Sequence, residues 1–77
     1  MNQQKVIQAI AEHLGLSLED IDKEASLRED LNLGPIALND LLNDLSKKLN
    51  ISFDPEDVKQ LETVDDLINL VEDNMID

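Results

Sequence analysis

Five leucines, Leu38, Leu41, Leu42, Leu45 and Leu49, recur at offsets 0, 3, 4, 7 and 11 in a chain of 77 residues. A helix of about 3.6 residues per turn gathers that spacing on one side, and no other regular backbone does. A docking stripe for a partner helix is the alternative. Core is the stronger reading, because so short a chain has no other source of burial. Asn39, Asp40, Asn43, Asp44, Lys47 and Lys48 fall on the other faces. The two lysines at the end suit the negative pole of the helix dipole. Gly34-Pro35 opens this helix. Proline at the first helical position loses nothing, since its missing N–H would have been an orphan donor there.

The same period marks two more segments. Val6, Ile7, Ile10 and Leu14, with Ala9 and Ala11 beside them, predict a helix over residues 3–14 that Gly15 ends. Val64, Leu67, Ile68, Val71 and Met75 predict another, started by a capping box of Thr63 with Asp66. Ile76 and Asp77 are expected to fray. Asp54-Pro55-Glu56-Asp57 is a further start signal. Only Val58 and Leu61 follow it as apolar anchors, so that helix is predicted to be short, about two turns. Between Leu16 and Gly34 lies a long connection, and Leu16, Leu18, Ile21, Leu27, Leu31 and Leu33 are expected to pin it onto the core. Ser17 and Asp20 have the spacing to cap a short turn there. No alternating pattern predicts a strand, and Ile51-Ser52-Phe53 is too short to pair. The expected fold is all-α: three main helices, one short helix and a long first loop, in one domain over residues 1–77. Its core is aliphatic, because Phe53 is the only aromatic residue.

Eighteen acidic residues against six basic ones leave a formal net charge of -12. Nucleic acid repels such a chain, whereas a basic partner surface attracts it. The absence of cysteine excludes disulfides, thiolate metal sites and thiol catalysis. His13, the only histidine, sits near the end of the first helix, where a contact with the helix dipole explains it better than a metal or a nucleophilic relay. A calcium loop started at Asp20 would need glycine at its sixth position and glutamate at its twelfth, but Ala25 and Leu31 stand there. Acids such as Asp54, Glu56 and Asp57 read instead as a solvated face. Carboxylates abound, yet nothing indicates the dry pocket that would split the pKa values of an acid–base pair, so no enzyme is expected. No apolar run approaches the roughly 20 residues that cross a bilayer. Met1-Asn2-Gln3-Gln4 has no signal-peptide pattern. A cytoplasmic monomer without metal or membrane contact is expected.

Three stretches carry a family resemblance when taken in order. Ala25-Ser26-Leu27-Arg28-Glu29-Asp30-Leu31 resembles the loop of an acyl carrier protein that leads to its attachment site. Asp40-Leu41-Leu42 resembles the acidic-then-aliphatic run of that family's second helix, and Thr63-Val64 its entry into the last helix. The likeness runs from about Val6 to Val71. It implies a small four-helix carrier fold whose second helix is preceded by Asp-Ser-Leu, the serine being esterified to 4′-phosphopantetheine. Here that triplet is Gly34-Pro35-Ile36. Ile36 keeps the apolar third position, but proline offers no hydroxyl to a phosphodiester, so no cofactor is expected at Pro35. Ser26 superficially copies the missing triplet, though its neighbours match a loop serine that caps or hydrogen-bonds locally. Ser17, Ser46 and Ser52 are weaker candidates still. By the same resemblance, Asn39, Asp40, Asn43, Asp44, Glu56 and Asp57 form the surface for basic patches on partner proteins, among them acyl-handling enzymes. The expectation is thus a carrier-like domain that acts by protein–protein contact. The alternatives are a true carrier modified at another serine, and a non-covalent binder of a fatty chain in the aliphatic interior.

Overall fold

The apolar periods fold as they are spaced. In the computed structural model, which describes residues 3–75, α1 spans Gln3–Leu14, α2 Pro35–Leu49, α3 Pro55–Val58 and α4 Val64–Asn74. A 3-10 turn at Leu18–Asp20 lies within the first loop. The fraying expected of Ile76 and Asp77 lies outside the described residues. Val6, Ala9, Ile10 and Ala11 are the buried side of α1. Leu41, Leu42 and Leu45 are that of α2, with Leu38 and Leu49 half-buried at its ends. Val64, Leu67, Ile68 and Val71 complete the centre from α4. α1 packs on both α2 and α4, so the three long helices close round one aliphatic cluster.

Helix ends follow the local chemistry. Gly15 leaves α1 with φ +71°, and Asn50 leaves α2 with φ 55°, both in the left-handed region. Asp54 caps α3, its side chain accepting from the Glu56 N–H at 2.9 Å. The capping box of α4 is complete. Thr63 Oγ1 accepts from the Asp66 N–H at 3.2 Å, and Asp66 Oδ2 accepts from the Thr63 N–H at 3.1 Å.

The long loop is tied down by backbone as much as by side chains. Leu27 and Leu33 are buried, while Ile21 and Leu31 pack half-buried against the core. The Leu27 N–H donates to the Glu62 carbonyl at 2.9 Å, Val64 N–H to Ala25 at 3.0 Å and Asp65 N–H to Lys23 at 2.9 Å. Together with an isolated bridge between Ser26 and Thr63, these bonds stitch the loop to the start of α4. Among the described residues that bridge is the only β pairing.

Three expectations need correction. Leu16 and Leu18 do not anchor the loop; they are exposed, because the chain passes through the turn at Leu18–Asp20 before Ile21 brings it back to the core. Ser17 precedes that turn but makes no side-chain cap. The Asp20 N–H already donates to the Ser17 carbonyl at 3.0 Å, so the donor a capping hydroxyl would take is in use. α3 has one turn rather than two. After Val58 the chain continues in i to i+3 turns, Gln60 N–H to Asp57 and Leu61 N–H to Val58, which set Leu61 against the core.

Candidate functional site

The site begins where the first loop feeds α2. Gly34 is the N-cap, with φ -70° and ψ 179°, and no side chain caps this end. Its carbonyl accepts the first helical bond, from the Leu38 N–H at 2.8 Å. Pro35 takes the first helical position and is exposed. Ile36 follows, 86% exposed, a large apolar side chain left in water. Pro35 brings no donor and no oxygen nucleophile to the helix mouth. The residues present there do not fit a phosphopantetheine ester.

A groove of about 610 Å³ opens beside this helix start, between the first loop, α2 and α3. Ser26, Gly34, Pro35, Leu38, Val58 and Leu61 are among its walls. It brings Ser26 to the same recess as Pro35, a proximity that the sequence does not disclose. The Ser26 hydroxyl is not idle, however. Its Oγ accepts from the Glu29 N–H at 3.1 Å, and its own N–H donates to Asp30 Oδ2 at 2.7 Å. It holds the loop turn. A second groove, of about 490 Å³, lies on the other side of Asn39 and includes Asn43, Ser46, Phe53, Val58 and Lys59. The Ser46 hydroxyl there donates to the Ile51 carbonyl, closing the end of α2, while Ser52 and Ser17 are exposed.

Of the six residues expected to meet a partner, all but Asp44 are exposed. Asn39, Asp40 and Asn43 are exposed on α2, and Glu56 and Asp57 on α3. Asp44 is turned towards α1. Its Oδ2 lies 3.1 Å from His13 Nδ1 and 3.4 Å from Lys48 Nζ, which in turn reaches Glu12 at 3.3 Å. His13 therefore has a specific carboxylate partner beyond the dipole of its helix. Partial burial pushes the Asp44 carboxyl up, but the hydrogen bond with His13 and the charge and hydrogen bond of Lys48 outweigh it and hold the group below 3.8. Lys48 is held above 10.5, chiefly by its hydrogen bond to Glu12 and against the effect of burial.

Charge is divided unevenly between elements. In α1 and α2 three cations, Lys5, Lys47 and Lys48, balance three carboxylates, Glu12, Asp40 and Asp44. The whole net charge of -12 is carried by the first loop and by everything after α2. Among the described residues no group of three or more His, Asp or Glu side chains is placed to hold a metal ion, and no helix is long and apolar enough to cross a membrane.

A family profile described as phosphopantetheine attachment site matches residues 4–71. An acyl carrier protein of Exiguobacterium sp. is 33% identical over 67 residues, covering 87% of this chain and 85% of that one. An acyl carrier protein of Desulforapulum autotrophicum is 37% identical over 68 residues, covering 87% and 88%. The fold is similar to the crystal structure of an acyl carrier protein from Thermotoga maritima, with a TM-score of 0.77 at 24% identity over 96% of this chain and 91% of that one. The apo doublet acyl carrier protein from prodigiosin biosynthesis superposes with a TM-score of 0.74 at 20% identity, covering 97% of this chain and 36% of that one. At these identities the two structures speak for the fold alone.

Proposed function

Because the chain belongs to the acyl carrier protein family, we propose that it is a carrier fold working without the covalent arm, by contact with other proteins. The observation that carries this is Pro35 at the first position of α2, where the family resemblance puts the attachment serine. A phosphodiester forms when a serine oxygen, losing its proton to a base, attacks the pantetheine-side phosphorus of the coenzyme A pyrophosphate and adenosine 3′,5′-bisphosphate leaves. Proline has no such oxygen and nothing a base could deprotonate. The helix start is nonetheless sound, and the core beneath it is closed. A domain with this fold and no arm serves as a decoy, regulator or structural subunit for acyl- or peptide-assembly enzymes.

The charge distribution supports a basic-surfaced partner approaching from the side of α3 and the first loop. Glu56 and Asp57 are exposed there, while the outward face of α2 offers Asn39, Asp40 and Asn43 with little net charge. The same field opposes nucleic acid.

Intact mass after incubation with a phosphopantetheinyl transferase and coenzyme A tests the reading. The expected mass is unchanged, and a gain of one phosphopantetheine would end the proposal, with Ser26 the first place to look. The double substitution Gly34→Asp with Pro35→Ser is the complementary arm. A Cβ at Gly34 meets nothing within 4 Å, so the change fits the backbone, and modification is expected to appear.

A further inference from the structure

Asparagine is a poor helix former, because its side chain offers the backbone alternatives to the helical bond. α2 nonetheless carries Asn39 and Asn43 one turn apart, both exposed. Both line the second groove, of about 490 Å³, which α2 shares with the chain that follows it and with α3. Among the described residues neither side-chain amide makes a hydrogen bond, whereas the Ser46 hydroxyl beside them is taken by the Ile51 carbonyl. Phe53, the chain's only aromatic residue, and Val58 are half-buried walls of the same groove. Lys59 is the only charged residue that lines it. The groove thus combines two unengaged amides, an apolar wall and a single charge.

We propose that this groove takes an extended polypeptide segment of a partner protein, uncharged over the stretch beside α2 and basic beyond it. The proposal rests on the reading that the chain works by protein contact without an arm. Residues four apart on a helix are separated by about 6 Å along its axis. In an extended chain every second residue turns its N–H and C=O to the same edge, at a spacing of about 6.6–6.8 Å. The two spacings agree within the reach of an asparagine side chain. Asn39 and Asn43 can each take the N–H and C=O of one such residue, because an amide carries both a donor and an acceptor. An ionised carboxylate only accepts and an ammonium only donates. A helical partner offers no such edge, since its backbone groups are spent within the helix. Alternate side chains of the segment face the groove, where an apolar one covers Phe53 and Val58. Lys59 refuses a cation inside the groove. The basic residues expected of the partner therefore lie beyond it, at Glu56 and Asp57, which follow Pro55 of the same wall.

Titration of ¹⁵N-labelled protein with acetyl-Thr-Val-Thr-Val-Thr-amide, and with the same peptide extended by Lys-Lys, tests this. Shifts are expected to centre on Asn39, Asn43 and Phe53 and to include the two asparagine side-chain amides. The added lysines should tighten binding, and salt should remove that gain. N-methylation of alternate peptide amides should abolish binding for one set and spare it for the other. Asn39→Ala with Asn43→Ala favours the helix, so the fold is kept, and should weaken the neutral peptide about tenfold, the scale of one to two hydrogen bonds. Asn39→Asp with Asn43→Asp keeps the shape, removes the donors and should weaken the neutral peptide as well. The proposal is overturned if either double substitution leaves that peptide bound as before, if both N-methylated sets bind alike, or if an all-lysine peptide of the same length moves the same signals as far. Intact mass of the same sample reports separately on the arm. A phosphopantetheine on the protein refutes the premise, whereas unmodified protein that ignores both peptides refutes the groove assignment alone.

Discussion

Asp44 shows what a residue's surroundings add to its identity. Its place on the polar side of α2 was legible from the leucine period, but its pairing with His13, 31 residues away, was not. That contact depends on where α1 crosses α2, which no local pattern fixes. Pro35 is the opposite case: its role at the helix start follows from its fixed φ and missing N–H, and the structure places it there. The Asp44 pairing has a pH signature. A carboxyl held below its unfolded value contributes stability above that value and loses the contribution as pH falls through the lower, folded one. The unfolded value is close to 3.8, so the loss begins near there and continues below it. Asp44→Asn removes the titrating group and keeps a hydrogen-bonding side chain. The native protein should therefore melt above the variant at pH 7, with the gap closing as pH falls below about 4. A gap of the same size at pH 7 and pH 3 would show that the ties to His13 and Lys48 add nothing to the folded state.

Elements were legible wherever one face repeats and a start signal precedes it. α1, α2 and α4 each bury the side that their apolar spacing marks out. The same spacing predicts a longer α3 than the chain forms, since Val58 and Leu61 are three apart and fit a helix. The chain instead reaches Leu61 through i to i+3 turns, because the loop must join the backbone seam at Glu62 and Thr63. That seam, and the groove walled by three separate segments, come from pairings distant in sequence and leave no periodic trace. The seam makes the start of α4 a junction as well as a helix end. Thr63→Ala removes the hydroxyl that accepts from Asp66 and should cost about 1 kcal/mol. In a domain of this size that is a fall of roughly 4–8 °C in Tm. Thr63→Ser should restore most of it, since the backbone bonds to the loop do not involve the side chain. Equal losses from Ala and Ser would assign the effect to the threonine methyl and its packing rather than to the cap.

Charge acts across the whole molecule, because the longest axis is only 30 Å. At 0.01 M salt the screening length is also about 30 Å, so nearly every carboxylate feels every other; at 0.1 M it falls to about 10 Å. Two effects then compete as salt is added. Repulsion among the carboxylates outside α1 and α2 is spread over many separated pairs, and screening removes it first. The attractive pairs are few and close: Lys48 with Glu12 and Asp44 at 3.3 and 3.4 Å, His13 with Asp44 at 3.1 Å, and Lys59 with Glu56 at 3.9 Å. These surface pairs are individually weak, and contact distances are screened least. With a net charge of -12 the repulsive sum should win. Tm should therefore rise between 0.01 and 0.3 M sodium chloride, and Glu56→Gln or Asp57→Asn, each removing one charge from the crowded part, should reduce the size of that rise. A Tm that falls over the same range would mean that the ties between α1 and α2 outweigh the distributed repulsion. Asp44→Asn should then abolish the fall, which separates that outcome from a general effect of salt on the unfolded chain.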